Sequence, residues 1–116
     1  QEDLIVNVGD RVFFEFDSFE ITVDGQSTLD AQVAWLKQYS EVDITIEGHA
    51  DERGTREYNL ALGAKRANTV FNYLMDAGVA NTRMNTVSFG KERPEVVGST
   101  DSAWSQNRRS VTTVTK

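Results

Sequence analysis

Near the start of the chain Val12, Phe14 and Phe16 alternate with Phe13 and Glu15, and this two-residue period predicts a strand closed by the turn residues Asp17 and Ser18. Asp24-Gly25 predicts a further turn. Beyond it Ser27, with Asp30 three positions on, has the form of a capping box opening a helix, and Leu29, Val33 and Leu36 fall on one face of that helix. Val42, Ile44 and Ile46 then alternate with Asp43, Thr45 and Glu47, so an amphipathic strand is expected to run into Gly48. Strand, helix and strand in so short a span suggest a right-handed parallel crossover.

From Tyr58 to Ala77 the apolar positions Leu60, Ala64, Ala67, Phe71 and Leu74 follow four-three spacing, which predicts a long helix stopped by Gly78. Met84 to Phe89 reads as a third strand, followed by turn chemistry from Gly90 to Pro94. Residues 95–107, rich in Gly, Ser, Thr and Asp, are expected to form a loop with one helical turn around Trp104. Ser110 to Thr115, rich in Val and Thr, supplies the last strand. The order β-α-β-α-β-β predicts an α/β chain, an α+β sandwich with helices packed on a mixed four-stranded sheet.

A chain of 116 residues, 39% apolar and 26% charged, has room for one folded domain. The absence of Cys removes disulfides, thiol catalysis and zinc knuckles but leaves the redox compartment open. The longest apolar runs are about four residues, such as Val33 to Leu36, too short to span a bilayer. The chain opens with Gln1 and shows no signal segment, as expected of a trimmed mature fragment. A net charge of −6 argues against nucleic acid, whose phosphates need a basic face. The charge is unevenly placed: residues 1–52 hold thirteen acids and two bases, and residues 53–116 hold ten bases and five acids. A cleft between two such halves suits a zwitterion better than a polyanion.

The densest polar stretch is Gly48-His49-Ala50-Asp51-Glu52-Arg53-Gly54, between the end of a strand and the start of the long helix, where open α/β sheets bind ligands. It lacks the spacing of a phosphate loop. His49 with Asp51, Glu52 and Glu57 invites a metal-dependent hydrolase, yet catalytic zinc normally takes three N or O ligands and the chain has one His. No G-x-S-x-G places a serine nucleophile beside His49. Arg66 shares a helical azimuth with Leu62 and Val70, so it is expected to be half buried, unless it snorkels with a solvated head. Asn107-Arg108-Arg109 opens the last strand.

The run GHADERGTREYNLALGAKRANTVFNYL, Gly48 to Leu74, resembles the signature of the OmpA-like C-terminal domain, a peptidoglycan-binding module of Gram-negative outer-membrane proteins. VFFEFDS at 12–18, SFGKERP at 88–94 and NRRSV at 107–111 resemble its other landmarks, so the likeness covers nearly the whole chain. Within that family the HADERGT wording and the GKERP turn are most similar to the peptidoglycan-associated lipoproteins. Lys65 stands where the family often has a second Arg, and the Cys that would carry a lipid anchor is missing, as is the tether after it.

The resemblance implies a tether remnant at 1–10 and a domain at 11–116 that binds the diaminopimelate-containing peptide stem without catalysis, cofactor or metal. Asp51 matches the family aspartate that holds the diaminopimelate ammonium and Arg66 the arginine that holds its carboxylate. Asp17 and Arg108 match supporting positions, and Asn59 and the Ala50 backbone line the same cleft. Elementary chemistry agrees, since an amino acid head needs one fixed anion and one planar cation. The resemblance further implies TolB and other Tol proteins as partners. It places the domain in the periplasm, lipid-anchored to the outer membrane and serving cell division and envelope integrity. The same module in a porin tail or a stator, or a hydrolase using His49 and Asp51, are the alternatives.

Overall fold

The computed structural model describes residues 8–115. Among them lie four strands and three α-helices: β1 (Arg11–Phe13), α1 (Val23–Gln38), β2 (Ile44–His49), α2 (Arg56–Asp76), β3 (Met84–Gly90), α3 (Asp101–Asn107) and β4 (Arg109–Val114). The strands form one sheet in the order β1-β4-β2-β3, with β2 and β3 parallel and β4 antiparallel to both β1 and β2. The expected mixed four-stranded sheet with helices packed on it is therefore present. β1 and β2 run in the same direction but do not pair, because the last strand enters between them.

Alternation works as predicted in β2, where Ile44 and Ile46 are fully buried beneath the helices. They meet Val12 of β1 and Phe14 just after it, Leu29, Val33 and Leu36 from α1, and Ala67, Val70 and Leu74 from α2 in one core. The first alternation stops early. Val12 and Phe14 are buried, but the strand ends at Phe13 and Phe16 is 61% exposed.

α1 begins at Val23, ahead of the Ser27 start read from the sequence. Thr22 caps it, its hydroxyl accepting from the Gly25 amide at 3.0 Å. Asp24-Gly25 is thus the first helical turn and not a separate one. Gly25 stands there for packing, since a Cβ would come within 2.8 Å of the Val12 side chain. α2 matches its predicted span, capped by Thr55 and closed by Gly78 at φ 107. Its buried face is turned from the expected stripe: Asn59, Leu62, Gly63, Arg66, Ala67, Val70 and Leu74 face inward, and Ala64 is exposed. The turn around Trp104 is a full short helix, capped by Thr100.

The face of α2 is set by a backbone contact. A Cβ on Gly48 of β2 would lie 1.7 Å from the Gly63 carbonyl oxygen, so helix and strand approach as only two glycines allow. The Ser88 hydroxyl of β3 donates to the Leu60 carbonyl at 2.7 Å across the same seam. Of the expected tether, residues 1–7 lie outside the described residues. Gly9 accepts from the Gln32 amide side chain at 2.9 Å, and the Asp10 carbonyl from the Thr112 amide at 2.7 Å.

This contact gives a direct expectation. Gly48→Ala should destabilise the domain by about 3 kcal/mol, because the obstructing atom is backbone and cannot rotate away. A urea denaturation midpoint indistinguishable from that of the parent chain would show that the seam is loose.

Candidate functional site

Three pieces of chain meet at the carboxyl end of β2: the turn after β1, the β2–α2 loop and the first turns of α2. Arg66 holds them together. It has no exposed surface, and its Nε donates to the Ser18 carbonyl at 2.8 Å, one terminal nitrogen to His49 at 2.9 Å and the other to Glu15 at 3.2 Å. The guanidinium lies 5.3 Å from the Phe14 ring centroid. Burial, reinforced by the nearby Arg108, pushes its pKa down to about 10, so it stays charged at neutral pH. Its three bonds all go to backbone carbonyls, and Asp51 and Asp17 act on it only at longer range. Two of its five N–H groups remain for something else.

Asp51, 4% exposed, has a different set of partners. Its Oδ1 accepts from the Arg53 amide at 3.0 Å and from Arg53 Nε at 3.2 Å, while Oδ2 accepts from the terminal Arg53 nitrogen at 2.8 Å. Arg108 stands 3.6 Å away on the other side. Burial raises the Asp51 pKa, but the Arg53 hydrogen bonds and the two cations outweigh it and hold the carboxyl below its ordinary range. Arg53 lies between two rings, 4.1 Å from the Phe16 centroid and 4.0 Å from that of Trp104.

These groups enclose a cleft of about 250 Å³ lined by Asp51, Arg53 and Arg66 on its charged side and by Phe16, Tyr58 and Leu62 on its apolar side. Asp17, Ala50, Gly54 and Asn59 complete it. Asp17 adopts φ 55 and accepts a hydrogen bond from the Tyr58 hydroxyl. Asn59 donates to the Arg53 carbonyl at 2.8 Å and so fixes the loop backbone. Of the residues expected at the site, Asp17, Ala50, Asp51, Asn59 and Arg66 line the cleft. Arg108 lies behind it, donating to the Phe14 carbonyl at 2.8 Å and standing 3.6 Å from Asp51.

Arg66 is more deeply buried than its helical azimuth suggested, and it holds the fold as well as the cleft. Phe16, Tyr58 and Arg53 were not singled out from the sequence. Arg53 sits inside the polar loop that was, two residues from Asp51 and therefore able to fold back on it. Phe16 reads as the third inward residue of a strand that in fact ends before it.

His49 does not line the cleft. Its ring is buried, 3.0 Å from Glu47 through Nε2, and stacked on Phe89 at a centroid distance of 5.5 Å. Burial depresses its pKa despite Glu47, and Arg109 and Arg93 add to the effect. Among the described residues no three His, Asp or Glu side chains gather as a metal would need.

Comparison with known proteins places these features in context. Residues 13–108 match the OmpA family. The chain is 60% identical over 112 residues to a peptidoglycan-associated lipoprotein of Rhizobium meliloti (strain 1021), covering 97% of this chain and 64% of that protein. A peptidoglycan-associated lipoprotein of Mesorhizobium japonicum is 57% identical, with 97% and 67% covered. The chain thus spans about two thirds of the length of these relatives. Among solved structures, the peptidoglycan-associated lipoprotein from Burkholderia pseudomallei superposes with a TM-score of 0.88 at 42% identity, covering 90% of this chain and 89% of that one.

Two outcomes are expected of the site's architecture. Arg66→Ala should cost about 3 kcal/mol or more of folding stability, because three carbonyls lose their donor and a cavity replaces the side chain; an unchanged melting temperature would contradict it. His49 is the chain's one histidine, and its folded pKa lies below its ordinary 6.5. The unfolded chain therefore binds more protons there as pH falls. Its contribution is complete above about pH 6.5 and is lost progressively as pH falls from there through the lowered folded pKa. His49→Gln should flatten the stability curve between about pH 6.5 and 5, and an unaltered slope would assign it to other groups.

Proposed function

The chain belongs to the OmpA family, and from that premise we propose that it binds, without catalysis, the diaminopimelate-containing peptide stem of peptidoglycan. One observation carries the proposal: the buried carboxylate of Asp51 and the buried guanidinium of Arg66, which has no carboxylate among its hydrogen-bond partners, line one cleft. The free end of diaminopimelate bears an ammonium and a carboxylate on one carbon. Asp51 takes the ammonium. Arg66 supplies the positive charge and two N–H groups for the carboxylate, at short range and low dielectric. Phe16, Tyr58 and Leu62 cover the methylene chain. Asp17, Asn59 and the Ala50 backbone hold the walls, and Arg108 adds to the effect of Arg53 in keeping Asp51 ionised.

The groups that could act chemically are committed elsewhere. His49 bonds to Glu47 away from the cleft, and Asp51 is held as a charged acceptor by Arg53, which suits binding and not proton transfer. The names of the relatives support peptidoglycan as the ligand. By the same relationship the domain serves to hold the outer membrane to the wall, facing the periplasm, with the lipid anchor outside this segment. TolB and the other Tol proteins are its proposed partners in division and envelope integrity.

Co-sedimentation with purified diaminopimelate-type sacculi tests the reading. The parent domain should pellet. Asp51→Asn, which keeps side-chain volume but removes the charge, should bind at least about thirty-fold more weakly, as expected when one member of a desolvated charge pair is lost. A folded Asp51→Asn domain that pellets like the parent would refute the site. Muropeptides incubated with the domain should keep their chromatographic profile, and a new product would refute a purely binding role.

A further inference from the structure

Asp51 is already occupied. Both of its oxygens carry Arg53, whose guanidinium is clamped between Phe16 and Trp104 and lines the same cleft. Arg66 is wholly shielded from solvent, whereas the Arg53 side chain is one-third exposed. The cation that an arriving ligand meets first is therefore Arg53. An ammonium added while Arg53 remained on Asp51 would place a third cation around one carboxylate that already has Arg53 at 2.8 Å and Arg108 at 3.6 Å.

We infer that Arg53 acts as an internal stand-in for the ligand's ammonium and selects zwitterionic heads by ion-pair exchange, an inference that rests on the function proposed above. The amino acid head enters the Asp51–Arg53 pair, its ammonium taking Asp51 and its carboxylate, which faces Arg66, also taking the released Arg53 fork, so that the broken ion pair is replaced on both sides. The backbone need not move. The Arg53 amide stays on Asp51 and its carbonyl stays on Asn59, and only the guanidinium turns within its aromatic clamp. A simple amine, such as the end of a lysine-type stem, would break the pair and return nothing to Arg53. Discrimination thus begins at Arg53 and does not depend on Arg66 alone.

Calorimetric titration of the domain with diaminopimelate-type and lysine-type tripeptide muropeptides separates the possibilities. The parent chain should favour the first by about a hundred-fold. In Arg53→Gln that ratio should shrink at least tenfold, through weaker binding of the diaminopimelate stem and stronger binding of the lysine stem to an unplugged Asp51. Arg53→Lys, which keeps a cation on Asp51 without the planar fork, should retain the parent's melting temperature yet discriminate poorly. An undiminished ratio in both variants would overturn the inference while leaving the binding reading intact. A parent chain that binds neither stem would overturn both. The exchange has its own signal, because Trp104 is one of two tryptophans and the one against Arg53. In Trp35→Phe, saturation with the diaminopimelate stem should change the emission of Trp104, and the change should vanish when Arg53→Gln is added. Constant emission at saturation would overturn the proposed movement.

Discussion

Burial of the Arg66 guanidinium is the constraint around which the rest of the structure is arranged. A fully desolvated cation is tolerated only where hydrogen bonds replace water, and here three carbonyls do so, from Glu15, Ser18 and His49. Two of these flank the turn at Asp17, and the third ends β2. The side chain comes from the middle of α2, so one residue fastens the segment after β1 to the helix and to the sheet. The glycine contact between Gly48 and Gly63 makes this reach possible, because it brings α2 onto β2 one turn before Arg66. Fold and cleft share the same bonds, so the floor of the cleft is as rigid as the core beneath it.

The uneven charge of the sequence has its counterpart in this cleft. Asp17 and Asp51 come from the acidic first half, and Arg53, Arg66 and Arg108 from the basic second half. They do not simply neutralise one another. Asp51 has two guanidinium groups beside it, while Arg66 makes its hydrogen bonds to carbonyls. On the function proposed above, the surplus cation suits a carboxylate and the anion an ammonium, a pairing that describes an amino acid head better than a phosphate, a metal or a simple amine. β2 also divides the chemistry: Asp51, just past its end, belongs to the cleft, and His49 lies with Glu47, Phe89 and Arg109 away from it.

Much of this was legible in the residues. Alternation at 42–47 and four-three spacing at 58–77 record local periodicity that the tertiary structure preserves. The polar loop Gly48–Gly54 stood out because charged residues and glycines are concentrated where a strand hands over to a helix. What escaped depended on contacts distant in sequence. Asp24-Gly25 carries turn chemistry, and only the proximity of Val12 explains why a glycine begins a helix there. The inward face of α2 is displaced from its apolar stripe because a glycine contact and a buried arginine, not Ala64, define it. The insertion of β4 between β1 and β2 has no local signature. Arg53 and Phe16 gain their roles from each other and from Trp104, which are separated along the chain and meet only in the fold.

The central claim, that a buried Arg66 held by three backbone carbonyls organises a cleft for an amino acid head, is tested most directly by the ¹⁵N-resolved Nε–H resonance of Arg66. The account predicts a signal protected from solvent exchange in the free domain, which shifts while remaining protected when a diaminopimelate tripeptide is added. A resonance that exchanges like that of a surface arginine, or one that ignores the peptide at saturation, would contradict it.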